Sequence, residues 1–181
     1  MFIQTEQTPN PATLKFLPGE TVMEQGTANF VTAEEAGRSP LAKTLFAVDG
    51  VAGVFFGFDF ITVTSDGRDW NELKPVILGT IMEHFTAGLP VMEETAAAEV
   101  GSSEEDGEIV TQIKELLETR VRPAVARDGG DIVFHAFREG IVYLHMQGAC
   151  AGCPSSTATL KYGIQNLLKH YIPEVESVEA V

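Results

Sequence analysis

The sequence predicts an α+β protein built as two small α/β-sandwich-like domains joined by an acidic linker. Three observations predict it. Both halves of the chain mix strand-type alternation with helix-type apolar stripes. The 181 residues have room for one medium domain or two small ones. Between the halves, "VMEETAAAEVGSSEEDG" at 91–107 carries six acids, no base and almost nothing with which to form a core. The predicted division is therefore a first domain at 1–90, a linker at 91–107 and a second domain at 108–181. As a flexible tether the linker would typically reach about 23 Å; an exposed acidic helix over 92–99 is the alternative.

In the first half, "FIQTEQ" and "TLKFL" are short strand candidates on either side of the turn-forming "TPNP". Ser39 and Pro40 have the chemistry of a helix N-cap and first helical residue, leading into "LAKTLFAV". "GVFFGFDFITVTS" predicts a hairpin, with Ile61 and Val63 alternating against Phe60, Thr62 and Thr64. From Asp69 onward, Trp70, Leu73, Ile77, Ile81 and Phe85 recur at helical steps. Pro75 has no N–H to donate, so this helix is expected to begin near Asn71 or to kink there. His84 lies beside that stripe and is expected to be a partly buried structural histidine. No chemistry is legible in this half.

The second half opens with an amphipathic helix marked by Ile109, Ile113, Leu116 and Leu117, which Pro123 is expected to end or restart. "RDGGD" suits a turn that needs positive φ. The runs "DIVFHAF" and "IVYLHMQ", separated by "REG", predict a second hairpin. Ile132, Phe134 and Ala136 fall with Val142, Leu144 and Met146 on one apolar face, the expected core. Val133, His135, Phe137, Tyr143 and His145 make the opposite, partly open face. The next helix is expected from Pro154, with Leu160, Ile164, Leu167, Leu168 and Tyr171 inward. Pro173 stops it, and "VESVEAV" supplies a last strand. The predicted order is helix, strand, strand, CxxC, helix, strand.

Both cysteines of the chain, Cys150 and Cys153, stand in "GACAGCPSS" between the second strand and that helix. Cys153 is expected at the helix N-terminus, where unpaired N–H groups and the dipole favour thiolate. The small residues around the pair leave backbone amides open to donate to sulfur, one of the factors that tune metal–sulfur centres. Ser155 and Ser156 read as caps. Two thiolates fill only half of a tetrahedral shell, and His135 or His145 are weak candidates for completing it, because they project from strands. The simplest completion is a second copy, giving four thiolates about a two-fold axis. That set suits a cubane iron–sulfur cluster or a single zinc ion, and spacing alone does not separate them. A reversible Cys150–Cys153 disulfide is the competing reading. A thioredoxin-like fold, however, needs most of a domain after its CxxC, and only 28 residues follow Cys153.

Composition excludes several classes. A formal charge of −14 argues against a nucleic-acid partner. No apolar run approaches the ~20 residues of a membrane span. The N-terminal stretch lacks signal-peptide or transit-peptide character, which predicts a cytoplasmic protein, or an organelle-matrix protein whose targeting segment has been removed. Phosphate-binding loops, nucleophile elbows and His-Glu-x-x-His pairs are absent from the sequence, so no enzyme activity is expected.

"RPAVARDGGDIVF" with "GACAGCPSSTATLK" resembles the C-terminal domain of the NifU/Nfu family of iron–sulfur cluster scaffolds. "TPNPATLKFLPG", "SPLAKTLF", "GVFFGFDFITVT" and "DWNELKP" resemble the N-terminal domain of two-domain Nfu proteins. The resemblance implies that Cys150 and Cys153 bind a labile 4Fe–4S cluster shared between two subunits. It also implies a carrier that takes a nascent cluster from an upstream scaffold and passes it to apo-proteins, catalysing no reaction. The other domains of full-length NifU have no counterpart here, and the absence of a transit peptide suits a bacterial member.

Overall fold

The structure, a computed structural model, describes residues 2–93, 107–151 and 157–181. The chain forms two compact units, Met1–Ala98 and Glu99–Val181, each with its own core. Most of the expected acidic linker, 94–106, lies outside the described residues.

The first unit is a five-stranded antiparallel sheet in the order β1-β2-β5-β4-β3, with β1 Gln4–Gln7, β2 Thr13–Leu17, β3 Ala28–Phe30, β4 Val51–Phe56 and β5 Ile61–Ser65. The hairpin predicted at 53–65 is β4–β5, and it occupies the middle of the sheet. Register places Leu14, Val63 and Val54 in one row, and Lys15, Thr62 and Phe55 in the next, so the two rows point to opposite faces. The first face carries the core. Leu41 and Leu45 of α1 (Pro40–Phe46) and Leu73, Ile77 and Ile81 of α2 (Trp70–Thr86) join Phe16, Phe56 and Ile61 there. Each such side chain contributes about 1.5–3 kcal/mol when fully buried. On the other face Phe60 lies against Phe55, with the Lys15 ammonium 4.7 Å from its ring centre. Gly57 makes room for that ring, since a Cβ there would collide with it.

Ser39 caps α1 as expected, accepting from the Ala42 N–H at 3.0 Å, and its hydroxyl also donates to the Val91 carbonyl. The Glu93 N–H donates to the Arg38 carbonyl at 3.1 Å. The start of the compositional linker is thus tied to the first unit. Ser39→Ala removes both hydroxyl bonds from a fully buried site and should cost about 1–2 kcal/mol. Trp70 is the one tryptophan and lies in this unit, so denaturant unfolding followed by its fluorescence measures the loss.

Helix α2 begins at Trp70, where Asp69 accepts from the Asn71 N–H at 2.9 Å. It runs through Pro75 to Thr86. The start beside Asn71 is as expected, and the helix continues through the proline, which removes a single bond from the ladder little more than one turn from the capped end. His84 is buried, with Nε2 3.0 Å from the Pro90 carbonyl, and is structural as expected.

The second unit is a three-stranded sheet, β6 Gly130–Arg138, β7 Ile141–Gly148 and β8 Ser177–Ala180, with β7 central, antiparallel to β6 and parallel to β8. Helices α3 (Glu108–Leu116), α4 (Arg122–Arg127) and α5 (Thr157–Tyr171) supply the rest of the core. Pro123 restarts the helix rather than ending it. A π-helical turn, Leu117–Val121, joins α3 to α4, and its wider winding accommodates a residue that lacks the N–H and crowds the preceding turn. The β6–β7 turn places Glu139 and Gly140 at φ 52 and 78, the handedness of a two-residue hairpin loop.

Two inward assignments need correcting. The β6–β7 register shifts between Phe134 and Ala136, so that Ala136 stands opposite Tyr143 and Phe137 opposite Val142. This bulge at His135 transfers Ala136 off the core face and brings Phe137 onto it. On α5 the buried stripe is Ile164, Leu168 and, just past the helix end, Ile172. These steps of four carry the stripe past Tyr171, which is 49% exposed and stacks edge-on against His170.

Candidate functional site

The turn carrying Cys150 starts where β7 ends. Gly148, at φ 62, adopts the left-handed conformation open to glycine. The Ala151 N–H donates to the Gly148 carbonyl and the Ala149 N–H to the Gly129 carbonyl, both at 3.1 Å. The last residue pair of the hairpin is Gly130 opposite Gly148, so the cysteine turn folds directly over Gly130. A Cβ on Gly130 would collide with Cys150 Sγ and stand 2.9 Å from the Cys150 amide nitrogen. Cys150 is 5% exposed and belongs to the core cluster of this unit. A cysteine in the stretch after the second strand is thus part of the core: the bare backbone of Gly130 leaves a recess that the thiol fills.

Asp131, the next residue of β6, is anchored from three directions. Arg122 Nε donates to Oδ1 at 2.8 Å and Nη2 to Oδ2 at 2.9 Å, and the Ile132 N–H donates to Oδ1 at 2.9 Å. The Asp131 side chain is 4% exposed and that of Arg122 30%. Hydrogen bonding to Asp131 raises the pKa of the Arg122 guanidinium against the opposing effect of burial, with the nearby charges of Asp131 and Glu118 adding to the rise. A forked, charge-assisted pair of this kind fixes direction as well as distance. Arg122 is the first residue past the π-helical turn, so the irregularity in the helix sets the position from which it grips β6.

The other predicted residues divide. His135 and His145 are exposed on their strands, and among the described residues no group of three or more His, Cys, Asp or Glu is placed to hold a metal ion. Cys153, Pro154, Ser155 and Ser156, with the helix start expected there, lie outside the described residues. The sequence reading singled out neither Gly130, which lies against Cys150, nor the Arg122–Asp131 pair that follows it on β6. The paired glycines of "RDGGD" suggested only a turn; their meeting with Gly148 requires the strand register.

Comparison with known proteins follows this division of the chain. Residues 3–88 match the family model "Scaffold protein Nfu/NifU N terminal", and residues 113–179 match "NifU-like domain". A human protein named NFU1 iron-sulfur cluster scaffold homolog, mitochondrial, is 59% identical over 184 residues, covering 100% of this chain and 72% of its own length. The chain belongs to the Nfu/NifU scaffold family. A Drosophila ananassae Nfu relative of the same name is 55% identical, with 64% of its length spanned. An Arabidopsis thaliana relative, NifU-like protein 4, mitochondrial, is 54% identical over 99% of this chain and 65% of its own. The chain thus spans about two thirds of these Nfu proteins. No described helix is long and apolar enough to cross a membrane.

Proposed function

We propose that this Nfu/NifU protein carries an iron–sulfur cluster, a 4Fe–4S cubane held between two copies of the chain by Cys150 and Cys153 of each. It receives the cluster from an upstream assembly scaffold, delivers it to apo-proteins and catalyses no reaction of its own. The cluster is cargo, held by exchangeable thiolates at an interface where four soft ligands converge and can be withdrawn again. The observation that carries this reading is the count of sulfur. A chain so close to proteins named as cluster scaffolds has two cysteines in all, whereas a four-iron cluster takes four. The second unit, which has its own core, is the part that meets its twin in this reading, with the first left to recognise donors or clients. The relatives' names favour an organelle matrix over the cytoplasm as the working compartment.

Anaerobic reconstitution with iron and sulfide tests the reading. The expected product is brown and dimeric, with broad absorption toward the blue. A colourless protein holding zinc, or a monomer whose thiols cycle with a dithiol reductant, contradicts it. Comparing transfer to several apo-clients with and without residues 1–107 tests the role of the first unit; it should be slower without them.

A further inference from the structure

Helix α2 is apolar along two lines rather than one. Its inward line, Leu73, Ile77, Ile81 and His84, is buried in the first unit. Its outward line, Pro75, Gly79, Met82 and Thr86 at steps of four, three and four, is exposed and carries no charge. Met82 is 40% exposed, and Val76, beside the line, 51%. A helix that is apolar all round is ordinarily buried all round, and grouped exposed apolar residues with a polar rim mark a contact surface.

Gly79 stands in the middle of the outward line. A glycine inside a helix is less favourable than an alanine, yet a Cβ there would meet nothing within 4 Å. No packing inside the first unit therefore calls for glycine. With Val76 and Met82 on either side, the missing side chain leaves a notch, and the spacing of two packed helices is set by the side chains at their contact. The rim is acidic on one flank only. Glu72 and Glu83 are exposed there, three turns and about 16 Å apart along the axis, while Lys74 is half-buried toward the other flank.

We propose that the outer face of α2 receives a helix of a partner protein, small or apolar along the line that meets Gly79 and basic along the flank that meets Glu72 and Glu83. A second copy fits less well. The first ninety residues carry 11 acids and 5 bases, so a twin would bring its own acids to the contact, and like charges facing each other are costly. A partner's lysines and arginines instead pair with the two carboxylates and are drawn in by the negative unit. That the partner is a cluster donor or client rests on the carrier reading, whereas the docking can be measured on iron-free protein.

The experiment uses the full iron-free chain and a fluorescein-labelled synthetic helix of about 18 residues, with alanine and leucine along one face and lysine along one flank. Binding is read by fluorescence anisotropy at low salt. A scrambled peptide of the same composition controls for plain attraction to a chain of charge −14, and the ordered helix should bind about tenfold or more tightly than it. Glu72→Lys with Glu83→Lys should weaken that binding about tenfold. Gly79→Leu separates docking from stickiness. Leucine suits a helix, so the melting temperature should rise by about 2–5 °C, and the added apolar surface would make a merely sticky face hold the peptide more tightly. A face that takes a helix at the notch should hold it about tenfold less tightly. Equal binding of ordered and scrambled peptides overturns the inference, and so does a Gly79→Leu chain that binds the helix as well or better. Self-association of the chain that Gly79→Leu abolishes would assign the face to a second copy and overturn it too. Cluster loading enters none of these measurements, so the carrier reading and the docking surface fail separately.

Discussion

Cys150→Ala and Cys153→Ala should each abolish cluster binding, removing two of the four sulfurs from the dimer at a stroke. Iron and sulfide content and the visible spectrum after anaerobic reconstitution provide the measurement, and a variant that retains a full cluster would point to another ligand set. The burial of Cys150 gives its substitutions a second, graded effect on stability. Alanine leaves the space of one sulfur atom in a packed recess and should cost about 1–2 kcal/mol. Serine fits the space but places a more polar hydroxyl at a buried core position, so Cys150→Ser should also be destabilising. Thermal melts of iron-free protein separate this packing effect from the loss of a ligand.

Arg122→Ala should destabilise the second unit by about 3 kcal/mol. The cause is the stranded Asp131 carboxylate, which is buried and loses both arms of the guanidinium fork at once. The further contact of Arg122 with Glu118, at 3.6 Å and exposed on the glutamate side, contributes little. Arg122→Lys should fall between, since an ammonium cannot grip both oxygens in the plane of the fork. The double variant Arg122→Ala with Asp131→Ala should recover part of the loss, because no unpaired charge remains. Hydrogen exchange at the Ile132 amide, which donates to Asp131, reads the damage locally. Equal exchange in wild type and Arg122→Ala would mean the pair does not hold the start of β6.

The elements that were legible in the sequence are those whose signals are local. Ser39-Pro40 specified the start of α1 because a cap is a contact over three residues, and "TLKFL" coincides with β2 at both ends. Strand β3 was not legible: it has three residues, one of them asparagine, too few for alternation to register. The bulge at His135 left no mark either, since the run of alternating residues continues through it and only pairing with β7 reveals the slip. Asp69 as the cap of α2 and the continuity of that helix through Pro75 depended on weighing one lost bond against an apolar stripe packed along the core. For the site, the residue type and spacing of the cysteines were plain. Their surroundings were not, because Gly130 lies twenty positions before Cys150 and Arg122 nine before Asp131; such contacts exist only after the hairpin has closed.

The shared-cluster account predicts a definite mass. Native mass spectrometry of the anaerobically loaded protein, under conditions that keep clusters intact, should show two chains with four irons and four sulfides between them. A species of one chain carrying that same complement, with no small thiol bound, would contradict it.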